Sequence, residues 1–171
     1  VVANPVAANP VAGNPGGVSL TNLSLKTDAP YTGTANSDLI ISRFEEDTLS
    51  GDAGNDVLFD FSQNRMSGGQ GQDVFVISVN DVNAVPNSPA DASIITDFNV
   101  AEDYLYVIDV NSGSFSTDKI QVQQSGTDTL VGYDATPGQT EWFAKLNNVN
   151  AADFQAKSAQ IFDPGATISE F

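Results

Sequence analysis

The sequence predicts an all-β fold in which short parallel strands coil through residues 33–79, antiparallel strands follow in residues 80–171, and one short helix lies near residues 150–157. The first observation behind this prediction is a nine-residue repeat that places turn-forming and apolar residues in a fixed order. The second is a series of short apolar segments after residue 79, each bounded by residues that favour turns. Fixed-period self-similarity indicates a repeat architecture, and short apolar segments between turn signals indicate strands.

The repeat is clearest in GDAGNDVLF (51–59) and GGQGQDVFV (68–76), and GTANSDLII (33–41) is a weaker copy. Two degenerate copies, SRFEEDTLS (42–50) and DFSQNRMS (60–67), lie between them. A polar column and an apolar column keep one register through all five copies. The polar column contains Asp38, Asp47, Asp56, Asn64 and Asp73, and the apolar column contains Ile40, Leu49, Leu58, Met66 and Phe75. Both columns advance by 9, 9, 8 and 9 residues, so chance is a poor explanation.

The pattern G-G-x-G-x-D-x-U-x, where U is a large apolar residue, resembles the repeats of the RTX family of secreted calcium-binding proteins. The resemblance implies a short right-handed parallel β-roll, in which each repeat is a turn followed by a strand and two repeats complete one coil. Gly33 and Gly51 are 18 residues apart, and Gly51 and Gly68 are 17 apart, so their turns would stack on one side of the roll.

The residue types of these turns suit calcium, which takes about six to eight hard oxygen ligands in irregular geometry. By resemblance, Asp38, Asp56 and Asp73 would line one side of the roll, with two ions shared between their turns. Gly-rich turns can direct carbonyl groups inward because Gly accepts positive φ. The implied calcium-binding residues are Gly33, Ala35, Asn36, Asp38, Gly51, Asp52, Ala53, Gly54, Asp56, Gly68, Gly69, Gln70, Gly71 and Asp73.

Two alternatives to calcium are open for parts of the array. A cluster of Gly, Asn and Asp between apolar segments is often only a β-turn, and this interpretation suits GTANSDLII (33–41) taken alone. On the opposite side of the roll, Asp47 and Asn64 belong to the degenerate turns. By the same resemblance, Glu45 and Arg65 stand where the RTX family prefers small or neutral residues. We therefore expect weak calcium binding or none on that side.

Composition limits the function classes. The 171 residues include 22 acidic and 6 basic side chains, for a net charge of −16, which argues against nucleic acids and anionic membranes as partners and favours cations. The absence of His excludes His-dependent catalysis and His-ligated zinc, and the absence of Cys excludes disulfides. No segment approaches the roughly 20 apolar residues of a membrane span. We therefore expect a protein that is not an enzyme and does not insert into membranes.

Residues 1–17 read VVANP, VAANP, VAGNP and GG, and a Pro every five residues excludes a helix or a central strand. This extended arm is interpreted either as a linker or tail, or as an element that docks on a neighbouring copy of the protein. Residues 18–32 are expected to form a capping strand for the first coil.

The C-terminal part contains a motif, I-x-D-F and then D-x-L, that also occurs in RTX C-terminal modules. It comprises Ile95, Asp97, Phe98, Asp103 and Leu105, and in the family such acidic residues can close the last calcium turn, which adds Asp97 to the candidate calcium ligands. The alternative is an antiparallel hairpin with acidic residues on its surface. Further strands are predicted at 119–124, 129–133, 141–146 and 159–162, and Asn150 is predicted to cap the helix, with Asp153 in its first turn.

The end of the chain also resembles the C-terminal modules of serralysin-like proteases and alginate epimerases. This resemblance implies bacterial export by type I machinery and an extracellular or cell-surface location. Two functions are compatible with the sequence. The first is a calcium-folded structural or adhesive module that self-assembles through residues 1–17. The second is a non-catalytic calcium-dependent module of a larger secreted enzyme.

Overall fold

The structure, a computed structural model, describes residues 24–26, 31–42, 46–61, 63–79, 88–109, 117–136 and 138–161. In these residues nine short strands come first: β1 (Ser24–Lys26), β2 (Tyr31–Thr32), β3 (Asp38–Ser42), β4 (Thr48–Ser50), β5 (Val57–Asp60), β6 (Arg65–Ser67), β7 (Val74–Val79), β8 (Ser93–Ile95) and β9 (Tyr104–Asp109). Three further strands and a helix follow: β10 (Ile120–Ser125), β11 (Asp128–Thr136), β12 (Gln139–Leu146) and α1 (Ala151–Ile161).

The strands form two sheets between which the chain alternates. The first sheet has the order β1-β3-β5-β7-β9 and is parallel throughout. The second sheet has the order β10-β11-β12-β8-β6-β4-β2, and it is parallel from β2 to β12 and antiparallel from β12 to β10. The all-β prediction, with a parallel roll continuing into antiparallel strands and one short helix, is confirmed.

The main core lies between the two sheets and is built from the apolar column of the repeats. All five members of that column are fully buried there: Ile40, Leu49, Leu58, Met66 and Phe75. Phe98 continues the core, because its ring lies 5.9 Å from Phe75 and 5.8 Å from Phe154 of the helix. The period that identified the roll is therefore the period of side chains that point between the sheets.

The parallel roll is longer at both ends than the sequence indicated. Residues 18–32 were expected to form one cap, but β1 and β2 within that range already pair with the two sheets of the roll. Strands β8 and β9 were expected to be antiparallel, but they pair in parallel with β6 and β7. The hairpin interpretation of this segment is therefore wrong. Buried Ile95 and Leu105 extend the apolar columns after the residues between β7 and β8 break the nine-residue spacing.

The C-terminal strands match the predicted positions, but the end of the helix does not. Strands β10, β11 and β12 form the expected antiparallel meander. Asn150 caps the helix as predicted, because its Oδ1 accepts from the N–H groups of Ala152 and Asp153 at 2.9 and 3.3 Å. The helix continues to Ile161 rather than ending near residue 157, so the strand predicted at 159–162 is wrong for residues 159–161. These residues lack a helix breaker before Pro164.

Some predictions fall outside the described residues. They concern the arm at residues 1–17, residues 18–23 of the predicted cap, Glu45 and Phe162. Among the helices that the structure describes, none has the length and apolar character needed to cross a membrane.

Candidate metal centre

Four turns stack along one edge of the roll, each leading from the second sheet to the first. They follow β2, β4, β6 and β8, and backbone hydrogen bonds join neighbouring turns, such as Gly54 N–H to the Gln70 carbonyl at 2.8 Å. The predicted calcium residues are distributed over these turns. The first turn holds Gly33, Ala35, Asn36 and Asp38, the second Gly51, Asp52, Ala53, Gly54 and Asp56, the third Gly68, Gly69, Gln70, Gly71 and Asp73, and the fourth Asp97.

A buried Asp lies where each turn meets the strand of the first sheet that follows it, and these four residues form a column. The Asp38 N–H donates to Oδ1 of Asp56 at 2.8 Å, and the Asp56 N–H donates to Oδ1 of Asp73 at 2.9 Å. The Asp73 N–H donates to Oδ1 of Asp103 at 3.0 Å. One carboxylate oxygen of each of the last three residues therefore fixes the turn before it. The second oxygen accepts the Asn99 N–H in Asp103 and has no protein partner in Asp56. The sequence prediction named the first three members of this column but did not include Asp103 among the ligands.

Two carboxylate oxygens in this column are buried without a protein partner. They are Oδ1 of Asp38 and Oδ2 of Asp56. Burial raises the pKa of Asp56 to about 7, and the neighbouring charges of Asp73 and Asp38 add to the effect while the hydrogen bond from Asp38 opposes it. Burial likewise raises the pKa of Asp73 to about 6 and that of Asp103 to about 7. A buried charge of this kind requires a counter-charge or a proton.

Glycines leave room around Oδ2 of Asp56 and in the neighbouring turns. A Cβ at Gly51 would overlap Oδ2 of Asp56 and the carbonyl oxygen of Gly68. A Cβ at Gly71, where φ is +135°, would overlap the carbonyl oxygen of Gly54 in the turn before it. Carboxylate and carbonyl oxygens thus come together where a side chain would fill the space.

Asp97 lies in the fourth turn but has a different role from Asp103. Its carboxylate accepts from Ser67 Oγ at 2.6 Å and from the N–H groups of Gly68 and Gly69 at 3.0 Å each. These contacts clamp the fourth turn to the third through the backbone. Asp103 instead continues the buried column and accepts the Asn99 N–H on its Oδ2 at 2.7 Å. The D-x-L pair, Asp103 and Leu105, was part of the predicted motif, but only Asp97 was assigned as a ligand; the match of D-x-L to the D-x-U of the earlier turns is the signal that places Asp103 in the column.

Among the described residues of the opposite edge, no carboxylate oxygen is both buried and without a partner. Asn64 Oδ1 accepts the Asp47 N–H, and its Nδ2 donates to Oδ1 of Asp60, both at 2.8 Å. Ser93 Oγ donates to the other oxygen of Asp60, and Ser42 Oγ donates to Asp47 at 2.6 Å. On this edge, neutral amide and hydroxyl groups thus donate to the carboxylates of Asp47 and Asp60. Weak or absent calcium binding here stays a prediction, which these contacts support.

The donor set of the Asp column fits a hard divalent cation. It consists of oxygen atoms, it carries negative charge, and its unpartnered oxygens are buried. Within the described ranges, no three acidic, His or Cys side chains converge on one point, because each turn contributes one Asp to a column. An ion between two turns would therefore take carboxylates from both turns and backbone carbonyls for the remainder, which calcium accepts more readily than magnesium does.

Comparisons with known proteins identify the fold but not the family. No family model and no curated protein matches the chain. Two similar solved structures are subunits of the Azotobacter vinelandii mannuronan C5-epimerase. The AlgE6R3 subunit has a TM-score of 0.53 and 24% identity, covering 95% of this chain and 88% of its own. The AlgE6R2 subunit has a TM-score of 0.52 and 22% identity, covering 85% and 96%. This chain therefore shares the β-roll fold of those subunits.

Proposed function

We propose that this chain is a non-catalytic, calcium-dependent module of a larger secreted enzyme, and that calcium between its stacked turns drives its folding. The observation that carries the proposal is the buried column of Asp38, Asp56, Asp73 and Asp103. Two of its oxygens have no protein partner, and one of them, Oδ2 of Asp56, borders the space that Gly51 leaves beside the Gly68 carbonyl. Four turns enclose three successive gaps, and each gap is bordered by two of these carboxylates.

Bound calcium would supply positive charge that offsets the repulsion and desolvation of the carboxylates. The residues themselves hold the turns in register, since each Asp after the first accepts the backbone N–H of the Asp in the preceding turn. Without a cation, the buried charges oppose formation of this stack, and the net charge of −16 acts in the same direction. Binding free energy would then become folding free energy.

The calcium concentration outside cells suits this coupling. Extracellular calcium modules bind at roughly 10⁻⁴–10⁻³ M, so the chain would stay unfolded in a low-calcium cytosol and fold after export. This behaviour is consistent with type I secretion of an unfolded chain and with an extracellular or cell-surface location in bacteria.

The epimerase subunits favour the enzyme-module hypothesis over the adhesive one. Both neighbours are subunits of an enzyme and share the fold over most of this chain. The chain itself has neither His nor Cys, which supports a non-catalytic role. Self-assembly through residues 1–17 is the second candidate, and its support is the repetitive composition of that segment.

A calcium titration of the purified chain tests the folding half of the proposal. Far-UV circular dichroism should show a cooperative gain of β signal with calcium, reversal by chelator, and no equivalent gain with the same concentration of magnesium. A spectrum that is indifferent to calcium and to chelator would contradict it.

An immunoblot of the native secreted protein tests the enzyme-module half. Antibodies raised against this chain should detect a secreted polypeptide much larger than the 17.9 kDa of the chain. Detection of only a 17.9 kDa secreted species would reject the enzyme-module hypothesis while leaving calcium-coupled folding intact. Light scattering then measures the mass of the calcium-folded chain: a mass above that of the monomer would support self-assembly, and a monomer mass would argue against it.

A further inference from the structure

Three positions on the opposite edge of the roll are the structural equivalents of the Asp column. They are Asp47, Asn64 and Ser93, each of which lies where a turn meets a strand of the second sheet. The residues after them pair in parallel across β4, β6 and β8, which keeps the three positions in register. Only one of the three has a carboxylate, whereas all four positions of the Asp column have one.

Asn64 has the same place on the opposite edge that Asp56 has in the Asp column. Oδ1 of Asn64 accepts the Asp47 N–H at 2.8 Å, and Oδ1 of Asp56 accepts the Asp38 N–H at 2.8 Å. The backbone carbonyls of Asn64 and Asp56 each accept an N–H of the following coil, also at 2.8 Å. Both side chains are buried. The two side chains therefore differ in their remaining polar atom, which is Nδ2 in Asn64 and Oδ2 in Asp56.

This remaining atom has a protein partner on one edge and none on the other. Oδ2 of Asp56 is buried without a hydrogen-bond partner. Nδ2 of Asn64 instead donates to Oδ1 of Asp60 at 2.8 Å. Asp60 is fully buried, and its other carboxylate oxygen accepts from Ser93 Oγ. An amide nitrogen thus lies where a carboxylate oxygen at position 64 would face Asp60, and it lets both side chains be buried with hydrogen bonds between them.

We propose that Asn64 is the residue that excludes calcium from the opposite edge, because its Nδ2 gives Asp60 a hydrogen bond in place of a bound cation. The inference rests on the proposed calcium-dependent function, since it concerns how the chain restricts the ion to one edge. A carboxylate at position 64 would bring a second charge against Asp60, and two ionised carboxylates in contact require a shared cation or a proton. The calcium requirement for folding therefore comes from the Asp column alone.

Asn64→Asp tests the proposal, with Asn150→Asp as the matched control. Oδ1 of Asn150 also accepts backbone N–H groups, but this residue is exposed at the start of the helix. In chelator, with trimethylamine N-oxide to favour the folded state, Asn64→Asp should unfold at a lower urea concentration than the parent chain, and calcium should remove most of this difference. Calorimetry should detect one more bound calcium ion per chain in Asn64→Asp than in the parent chain. Asn150→Asp should change neither quantity.

Two results would overturn the proposal. Equal urea midpoints of Asn64→Asp and the parent chain in chelator would show that the amide donor is not needed on this edge. A loss of stability that calcium does not repair, without an additional bound ion, would make Asn64 a structural hydrogen-bond donor with no part in metal selection.

A double substitution keeps the test decisive where Asn64→Asp does not fold in chelator. Combining Asp60→Asn with Asn64→Asp exchanges the amide and the carboxylate, so that an amide at position 60 can donate to a carboxylate at position 64. We expect the double variant to regain metal-free stability and to lose the additional ion, and failure to regain stability would reject the pairing. A parent chain that binds no calcium would refute the proposed function, whereas the comparison of these variants in chelator and in calcium would still test Asn64.

Discussion

Asp56→Asn should change metal-free stability and calcium affinity in opposite directions. The pKa of Asp56 is raised from 3.8 to about 7. One pKa unit corresponds to about 1.4 kcal/mol, so the ionised carboxylate destabilises the metal-free fold by at most about 4 kcal/mol above pH 7, and solvent screening reduces this figure. Asn keeps an oxygen to accept the Asp38 N–H and removes the charge. We therefore expect the metal-free variant at pH 8 to be more stable than the parent chain, by up to about 4 kcal/mol.

Calcium should reverse this order. Loss of a carboxylate from the middle of the column removes ligand charge from both gaps that border Asp56, and ligand charge tunes calcium affinity. We expect the calcium midpoint of folding to rise on the order of tenfold or more. The variant would thus be the more stable form in chelator and the weaker binder in calcium.

Urea unfolding with and without calcium, followed by circular dichroism at pH 8, measures both effects. Trimethylamine N-oxide brings the metal-free proteins into a measurable range, since it favours burial of surface. The matched control is Asp47→Asn on the opposite edge, where the carboxylate already accepts from Ser42; it should leave the calcium midpoint nearly unchanged. If Asp56→Asn destabilises the protein with and without calcium alike, Asp56 is a structural hydrogen-bond acceptor and the reasoning is refuted.

Three further predictions concern the same edge. Burial raises the pKa values of Asp56 and Asp103 to about 7. The stability that their protonated forms give the metal-free fold is therefore present at low pH and is lost as the pH rises through about 7. Chelator-treated protein should thus unfold at a lower urea concentration at pH 8 than at pH 5. Equal midpoints would contradict this. Gly51→Ala should raise the calcium midpoint of folding, because its Cβ would overlap Oδ2 of Asp56. Gly126→Ala lies in open space and should cost only about 1 kcal/mol of backbone strain, with and without calcium. Equal calcium midpoints of the two variants would contradict a calcium site beside Gly51. Calorimetry should show that Asp103→Asn weakens calcium binding more than Asp97→Asn, and the reverse order would exchange their roles.

The repeat register predicted the roll because two physical requirements share its period. A polar residue must end each turn, and an apolar residue must enter the core. The two positions therefore keep the same separation in every copy, as Asp56 and Leu58 do in the third. The fourth turn was predicted from the C-terminal motif, but its column residue, Asp103, was not assigned. The segment between β7 and β8 interrupts the spacing, and Asp103 lies 30 residues after Asp73 although the two carboxylates are neighbours in the column.

Other differences arise where local sequence is compatible with more than one pairing. Strands β8 and β9 are consecutive in the sequence, and the segment between them contains turn-forming residues. This order favoured the prediction of an antiparallel hairpin. Their apolar residues, Ile95 and Leu105, instead face the same core from opposite sheets. At the helix end, the apolar pair before Asp163 resembled a strand, but residues 159–161 continue the helix that Asn150 initiates. Tertiary pairing decided these cases, and short segments do not encode it.

The most direct test of the account is the position of calcium in crystals grown with the ion, located by its anomalous scattering. The account predicts peaks between the stacked turns that carry Asp38, Asp56, Asp73 and Asp103, and none beside Asp60 and Asn64 on the opposite edge. Peaks on the Asp60 edge, or a folded roll with no peak beside Asp56, would contradict the central claim that one column of buried carboxylates holds the metal.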